Sequence, residues 1–219
     1  MIELLKSLKT AGLKIDTVYD IGACIGEWSK AVKEHAFPDA QFYLFEANPA
    51  LQGRLIEADV GRVIMGCLGA PGVEFVNFST IGGTGDSYYR EKSSHYDNAG
   101  SFRLPCFTLD GVMDGQGPAM PPPDVIKIDT QGAELDIFAG ASKALRTATI
   151  IMCEVPFVPF NAGAPAIGEY LDFFRSHDFL PVRLPGATIL EDILVHADIV
   201  FMRRDVKDKY LQPTTTLRL

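Results

Sequence analysis

The chain has 219 residues, 47% of them hydrophobic and 22% charged, with a formal net charge of -8 and four cysteines. That length and apolar content predict one sizeable core and a single globular domain over residues 1–219, and the acidic balance, with Lys and Arg scattered, argues against a nucleic acid as partner. No apolar run reaches membrane-span length, the N-terminus lacks the basic start and cleavage site of a secretory signal, and Cys24, Cys67, Cys106 and Cys153 show neither a CxxC pair nor histidines at metal spacing, so reduced thiols in a cytoplasm are expected.

Residues 1–13 carry Ile2, Leu4, Leu5, Leu8 and Leu13 at helical spacing and predict an amphipathic helix outside a sheet. Residues 17–48, TVYDIGACIGEWSKAVKEHAFPDAQFYLFEAN, read as strand, glycine loop, helix, strand. Val18, Tyr19 and Ile21 form an apolar run that Asp20, Gly22 and Gly26 break. Trp28, Ala31, Val32, His35 and Ala36 then share one helical stripe, on which His35 reads as a packed residue. The next strand, 42–45, ends in Glu46, and the spacing from Asp20 suits a βαβ crossover whose second strand offers an acid to a ribose. A short helix over 51–59, a third strand over 62–68 and strands over 73–78 and 102–109 follow. Between the last two, residues 79–101 have no period, and a loop of that length in a compact domain is functional or mobile.

Residues 110–123 read as an exposed connection rich in Gly and Pro. VIKID, 125–129, is a buried parallel strand ending in a carboxylate; 132–145 is helical with a break at Gly140; and TIIMCEV, 149–155, is an apolar strand holding Glu154. A helix over 167–177 precedes two final strands, 179–184 and 197–202, expected as an antiparallel pair. Arg203, Arg204, Lys207 and Lys209, interrupted by Asp205 and Asp208, read as a solvated tail. The alternation predicts an α/β fold: an open, mostly parallel sheet with helices on both faces and an antiparallel edge. Ligands in such sheets sit beyond the carboxyl ends of the strands, which is where Asp20, Glu46, Asp129 and Glu154 fall.

The loop DIGACIG has neither the GK[ST] ending of a P-loop nor a GxGxxG pattern, and the carboxylates of Asp20 and Glu27 around it disfavour a pyrophosphate. A cofactor with a ribose and a cationic centre fits better: in S-adenosylmethionine, Glu46 would take the ribose hydroxyls and Asp20 the ammonium. Spacing alone leaves two alternatives open, an oxidoreductase using an NAD-type dinucleotide, whose ribose Glu46 would serve equally well, and a non-catalytic binding domain of the same fold.

VYDIGACIGEWS, YLFEANP, IKIDTQGAELDIFAGA and MCEVPF resemble, in order and spacing, successive motifs of the FkbM family of S-adenosylmethionine-dependent methyltransferases, and the resemblance runs from Val18 to Met202. It implies a Rossmann-like class I methyltransferase fold and methyl transfer to a hydroxyl of a sugar or other natural-product scaffold, hence a small-molecule acceptor. Cys24, Ala47 and Gln131 stand where the family frequently has Asn, Pro and Glu. By resemblance Asp20, Gly22, Ala23 and Gly26 form the cofactor loop and Glu46 and Ala47 lie at the ribose. Asn48 either approaches the adenosine or caps the next helix. Cys67 and Leu68 line the adenine pocket or are ordinary core.

Asp129, Glu134 and Glu154 are the acids expected around the transferred methyl and the acceptor, where a base or metal must help remove the hydroxyl proton. Asp129 also borders the cofactor. For Glu134 the alternative is a first-turn helix acid complementing the dipole. Convergence of Asp129 and Glu154 would offer two oxygen ligands to a divalent ion, too few to favour a metal. His95 is a candidate base. Residues 79–101 are the candidate acceptor-side lid, with Ser87, Tyr88 and Tyr89 as contacts.

Overall fold

The computed structural model describes residues 2–115 and 120–211, the side chain of His95 excepted. In chain order the elements are α1 (Ile2–Thr10), β1 (Thr17–Ile21), α2 (Glu27–His35), β2 (Gln41–Glu46), a 3-10 turn (Pro49–Leu51), α3 (Gln52–Glu57), β3 (Arg62–Met65), β4 (Cys67–Leu68), β5 (Phe75–Thr80), a second 3-10 turn (Ser94–Tyr96) and β6 (Gly100–Phe107). They continue with α4 (Leu109–Met113), β7 (Val125–Ile128), α5 (Glu134–Ala139), α6 (Ser142–Thr147), β8 (Ile150–Pro156), α7 (Ile167–Ser176), β9 (Phe179–Leu190), β10 (Ile193–Arg203) and α8 (Arg204–Tyr210).

Seven strands form one sheet in the order β3-β2-β1-β7-β8-β10-β9, and β4, β6 and β5 form a smaller one. Five neighbours of the large sheet, β3 to β8 in that order, run parallel, while β10 is antiparallel to both β8 and β9. The expected antiparallel edge is therefore present. From β1 the chain winds outward to β2 and β3 and then returns to place β7 on the other side of β1, so the winding reverses between β1 and β7. That reversal opens a crevice at the carboxyl ends of the two strands.

The central strands are buried on both faces, which is why they read as mostly apolar runs, interrupted only by Asp20 in β1, Lys127 in β7 and Glu154 in β8. Tyr19, Ile21, Ile126, Ile128, Ile151 and Cys153 join the cluster that takes in α5, α6 and α7, whereas Val18, Leu44, Val125, Ile150 and Met152 join the one that takes in α1, α2 and α3. The β-strand period of two divides the residues in this way.

Five local expectations change. The strand over 62–68 is broken by Gly66 at φ 148, a conformation L side chains rarely adopt, so β3 stays in the large sheet and β4 pairs with β6 in the small one. The connection over 110–123 begins as a helix, α4, because Thr108 Oγ1 accepts from Gly111 N at 3.0 Å as its N-cap; residues 116–119 lie outside the described ones. His35 lies on the wet side of α2, its side chain 56% exposed, and the polar Ser29 is buried in its place. The last two strands are much longer than 179–184 and 197–202, closing through Glu191 and Asp192 at φ 48 and 65, a two-residue turn that Pro185 and Gly186 obscure in the pattern. The basic stretch after β10 is helical, with Val206 buried, Arg204 paired with Asp178 and Arg203 with Asp205. The expected break at Gly140 is there, between α5 and α6, and the position needs a glycine, since a Cβ would come within 2.9 Å of Thr108.

Candidate active site

The crevice at the winding reversal is lined by Gly22, Cys24, Glu46, Ala47, Cys67, Leu68, Asp129 and Thr130 and spans about 600 Å³, counted out to open solvent. Its floor is set by close packing. Gly22, at φ 74, lies so near β7 that an added Cβ would stand 1.9 Å from the Asp129 carbonyl oxygen. The N–H groups of Gly22 and Ala23 both donate to Phe45 O, and Gly26 N donates to Ala23 O before opening α2 at φ 79. Ala23 and Gly26 thus shape the turn behind the crevice. Cys24, at φ 52, holds a left-handed conformation that Asn tolerates more readily, which accounts for the residue common at this place in the family.

Two acids flank the turn. Glu46, 7% exposed, accepts from Cys24 N through Oε2 and from Asn48 N through Oε1, both at 2.8 Å. Burial pushes its carboxyl above the usual carboxylate range, against the lowering pull of these N–H groups. Asp20 is fully buried: Oδ2 accepts from Ser29 Oγ at 2.7 Å, while Oδ1 has no hydrogen bond and faces Lys127 Nζ at 3.4 Å. Lys127 Nζ donates to Gly22 O at 3.0 Å and lies 3.7 Å from Asp129 Oδ2. Burial works to lower its pKa, but Asp20, Asp129 and Glu154 outweigh that and hold it raised and charged.

The segment 79–101 folds over the crevice mouth. Asp86 Oδ2 accepts from Thr80 Oγ1 at 2.6 Å and from Asn48 Nδ2 at 2.8 Å, while Asp86 Oδ1 accepts from Ile81 N at 2.9 Å. Asn48 also caps the first 3-10 turn, its Oδ1 accepting from Ala50 N. Of its two expected places, it takes the cap. Ser87 Oγ donates to Thr130 O at 3.0 Å, and the hydroxyls of Tyr88 and Tyr89 both donate to Asp136 Oδ2, at 3.2 and 2.8 Å. Ser87 and Tyr88 line the crevice. The segment therefore touches both sides: Ser87 and Tyr88 lie at the crevice, while Glu91 lines a second cavity and Tyr89 O accepts from Asn161 Nδ2 on that cavity's wall. His95 sits in the second 3-10 turn, and its side chain lies outside the described residues.

A second cavity of about 690 Å³, again counted to open solvent, lies on the other side of the loop after β7 and is lined by Glu91, Gln131, Glu154, Phe160, Leu190 and His196 among others. Gln131, at φ 56, stands at the boundary: its Nε2 donates to Asp129 Oδ1 at 2.9 Å and to Glu154 Oε2 at 2.7 Å. On its far side Glu154 accepts from His196 Nδ1 through Oε1. Asp129 and Glu154 do draw together, but through an amide donor. Among the described residues no group of three or more His, Cys, Asp and Glu has a metal-holding arrangement.

Glu134 takes the alternative expected of it, an acid in the first turn of α5. It is 1% exposed, and its oxygens accept from Thr130 N at 2.8 Å, Gly132 N at 3.0 Å and Tyr170 Oη at 2.6 Å. At the edge of the second cavity its carboxylate clasps the loop, because a buried acid takes whatever N–H and O–H donors surround it.

A family model described as the methyltransferase FkbM domain matches residues 20–181. The chain belongs to the FkbM methyltransferase family. Among solved structures, the FkbM methyltransferase of Methylobacillus flagellatus is 15% identical, with a TM-score of 0.50 over 88% of this chain and 46% of that one, so the chain spans under half of that protein's length. The fibrillarin pre-rRNA processing protein of Methanococcus jannaschii is likewise 15% identical, with a TM-score of 0.51 over 92% of this chain and 74% of that one. At such identities the likeness is one of fold, the class I methyltransferase fold. No curated protein matches the chain in sequence.

In this FkbM domain the expected acids Glu46, Asp129 and Glu154 line the two cavities, whereas Asp20 is fully buried inside β1 behind them, paired with Lys127. Lys127, Ser29, Asp86 and His196 escaped the sequence reading. Two had a signal. A lysine in the middle of VIKID and a His-Asp pair two apart in LVHADIV each set charge inside an apolar strand, as Glu154 does in TIIMCEV. Ser29 and Asp86 had none, since Ser on a helix and Asp in a loop are ordinary surface residues.

Proposed function

We propose that this protein transfers the methyl group of S-adenosylmethionine to a hydroxyl oxygen of a small molecule, a sugar or another natural-product scaffold. The observation that carries the reading is the single loop wall, 129–132, between the glycine-turn crevice and the second cavity, with the Gln131 amide spanning from Asp129 on one side to Glu154 on the other. That arrangement suits a donor and an acceptor held end to end.

The crevice fits the cofactor. Glu46 presents a carboxylate whose remaining lone pairs suit ribose hydroxyls, while Asp20, fully buried beneath the turn and paired with Lys127, supports the turn from behind rather than meeting the cationic amino group directly. S-adenosylmethionine supplies an electrophilic methyl group on a sulfonium. Gly22, Ala23 and Gly26 keep the turn close to the sheet, Ala47, Cys67 and Leu68 give an apolar wall for the adenine, and Asp129 lies at the inner end, toward the second cavity. Glu134 acts by fixing the loop that carries Asp129 and Gln131. Ser87, Tyr88 and Tyr89 hold the 79–101 segment down as a cover, and the same segment sends Glu91 to the wall of the second cavity.

Calorimetry with S-adenosylmethionine, S-adenosylhomocysteine and NAD tests the cofactor. Micromolar binding of the first two with none of NAD is expected, and the reverse order would replace the reading by the dinucleotide one. Transfer of radiolabelled methyl to a panel of neutral sugars and macrocyclic alcohols tests the acceptor class.

A further inference from the structure

The second cavity holds a histidine that the reading above does not use. His196 lies on β10 with its imidazole 31% exposed and lines both the second cavity and a shallow solvent-open depression formed with Gly186, Ala187, Thr188 and Asp198. Its Nδ1 is engaged by Glu154 Oε1, and Glu154 is fixed in turn by Gln131. Nε2 has no hydrogen-bond partner among the described residues. A carboxylate that accepts from Nδ1–H sets the tautomer and leaves Nε2 as a free proton acceptor.

We propose that His196, oriented by Glu154, is the proton acceptor for the acceptor hydroxyl. The proposal rests on the O-methylation reading. A lone pair of the acceptor oxygen forms the new O–C bond as the C–S bond breaks and its electron pair goes to sulfur; the hydroxyl proton goes to His196 Nε2. The depression on the far side of the ring then offers that proton a way to solvent. Asp129 and Glu134 serve this step less well, being bonded to Gln131 and clasped in the loop respectively.

Among the described residues, the charged groups that line the second cavity or act on the ring are acidic: Glu154 from β8, Asp198 from its own strand, Asp129 from the loop after β7, Glu134 from α5 and Glu91 from the 79–101 segment. The hydrogen bond to Glu154 raises the imidazole pKa above its ordinary value, and partial burial opposes this only in part. The neutral base is thus lost as pH falls through a value raised above that of an ordinary imidazole, and the acid limb of turnover lies there.

The test uses the full chain. Wild type, His196→Gln and Glu154→Gln are compared in S-adenosylmethionine binding by calorimetry, in methyl transfer to the sugar and alcohol panel across pH, and in an NMR pH titration of the ring carbons. His196→Gln is expected to bind cofactor like wild type, to lose about 100-fold in kcat and to lose the acid limb. In Glu154→Gln the limb and the His196 titration are expected to move to lower pH together. Turnover within about threefold of wild type in His196→Gln, or an unmoved His196 titration in Glu154→Gln, would overturn the proposal while leaving O-methylation standing. Wild type that binds cofactor yet methylates no alcohol would overturn the O-methylation reading and this proposal with it.

Discussion

Lys127 and Asp20 are direct neighbours on parallel strands in the middle of the sheet, with Nζ 3.4 Å from Oδ1 and both side chains withdrawn from water. The same ammonium bonds the Gly22 carbonyl, so one cation holds the turn, the first strand and the strand carrying Asp129 in register. Removing it leaves a buried carboxylate uncompensated. Lys127→Met is therefore expected to lower stability by about 3–5 kcal/mol in denaturant titration, with cofactor binding weakened in parallel; a loss under ~1 kcal/mol would show the pair to be dispensable.

Gly22→Ala addresses the same floor from the backbone side. The residue holds φ 74, and its new Cβ would meet the Asp129 carbonyl oxygen at 1.9 Å. Strands β1 and β7 would have to separate, and destabilisation above about 3 kcal/mol or failure to accumulate folded protein is expected. Gly12→Ala, where φ is 92 and nothing lies within 4 Å, is the control with strain but no clash.

Glu46→Ala removes the acceptor set aside for a ribose. A hydrogen bond to a charged group contributes about 1.5–3 kcal/mol, so the dissociation constant for S-adenosylhomocysteine should rise about 10- to 150-fold. Calorimetry reads this directly, and an unchanged constant would remove Glu46 from the cofactor site.

Asp86 ties the 79–101 segment to Asn48 and Thr80. Asp86→Ala should speed limited proteolysis within that segment, and S-adenosylhomocysteine should slow its cleavage in wild type but less so in the variant. Equal cleavage with and without cofactor would rule out the segment as a cover.

The four cysteines are free, and Cys67, Cys106 and Cys153 are buried. Burial pushes the thiol pKa of all three up, while Cys24, on the crevice wall and only partly covered, is raised by burial and by Glu46. Iodoacetamide at pH 8 should label Cys24 first, slowly, and cofactor should protect it. Labelling of Cys67 at a similar rate by mass spectrometry would mean that the crevice opens far more widely.

Apolar runs, helical stripes and turn residues are local properties, and they were enough to predict an open, mostly parallel sheet with helices on both faces, its antiparallel edge and the acids expected near its carboxyl ends, whereas the strand order came only from the structure. Glu46 and Asp20 were legible because an acid that abruptly ends or interrupts an apolar strand has few structural reasons to be there. The motifs from Val18 to Met202 carried the family, which the match over residues 20–181 bears out. Tertiary structure alone decided what each acid faces. Glu134 became a clasp because the loop folds its own N–H groups and Tyr170 onto it, and Glu154 gained His196 because an antiparallel strand more than forty residues later in the chain pairs beside it. Such partners are set by register across a sheet, and a shift of one residue would turn every side chain to the opposite face. That register follows from the packing of both cores at once, which no window of the sequence contains.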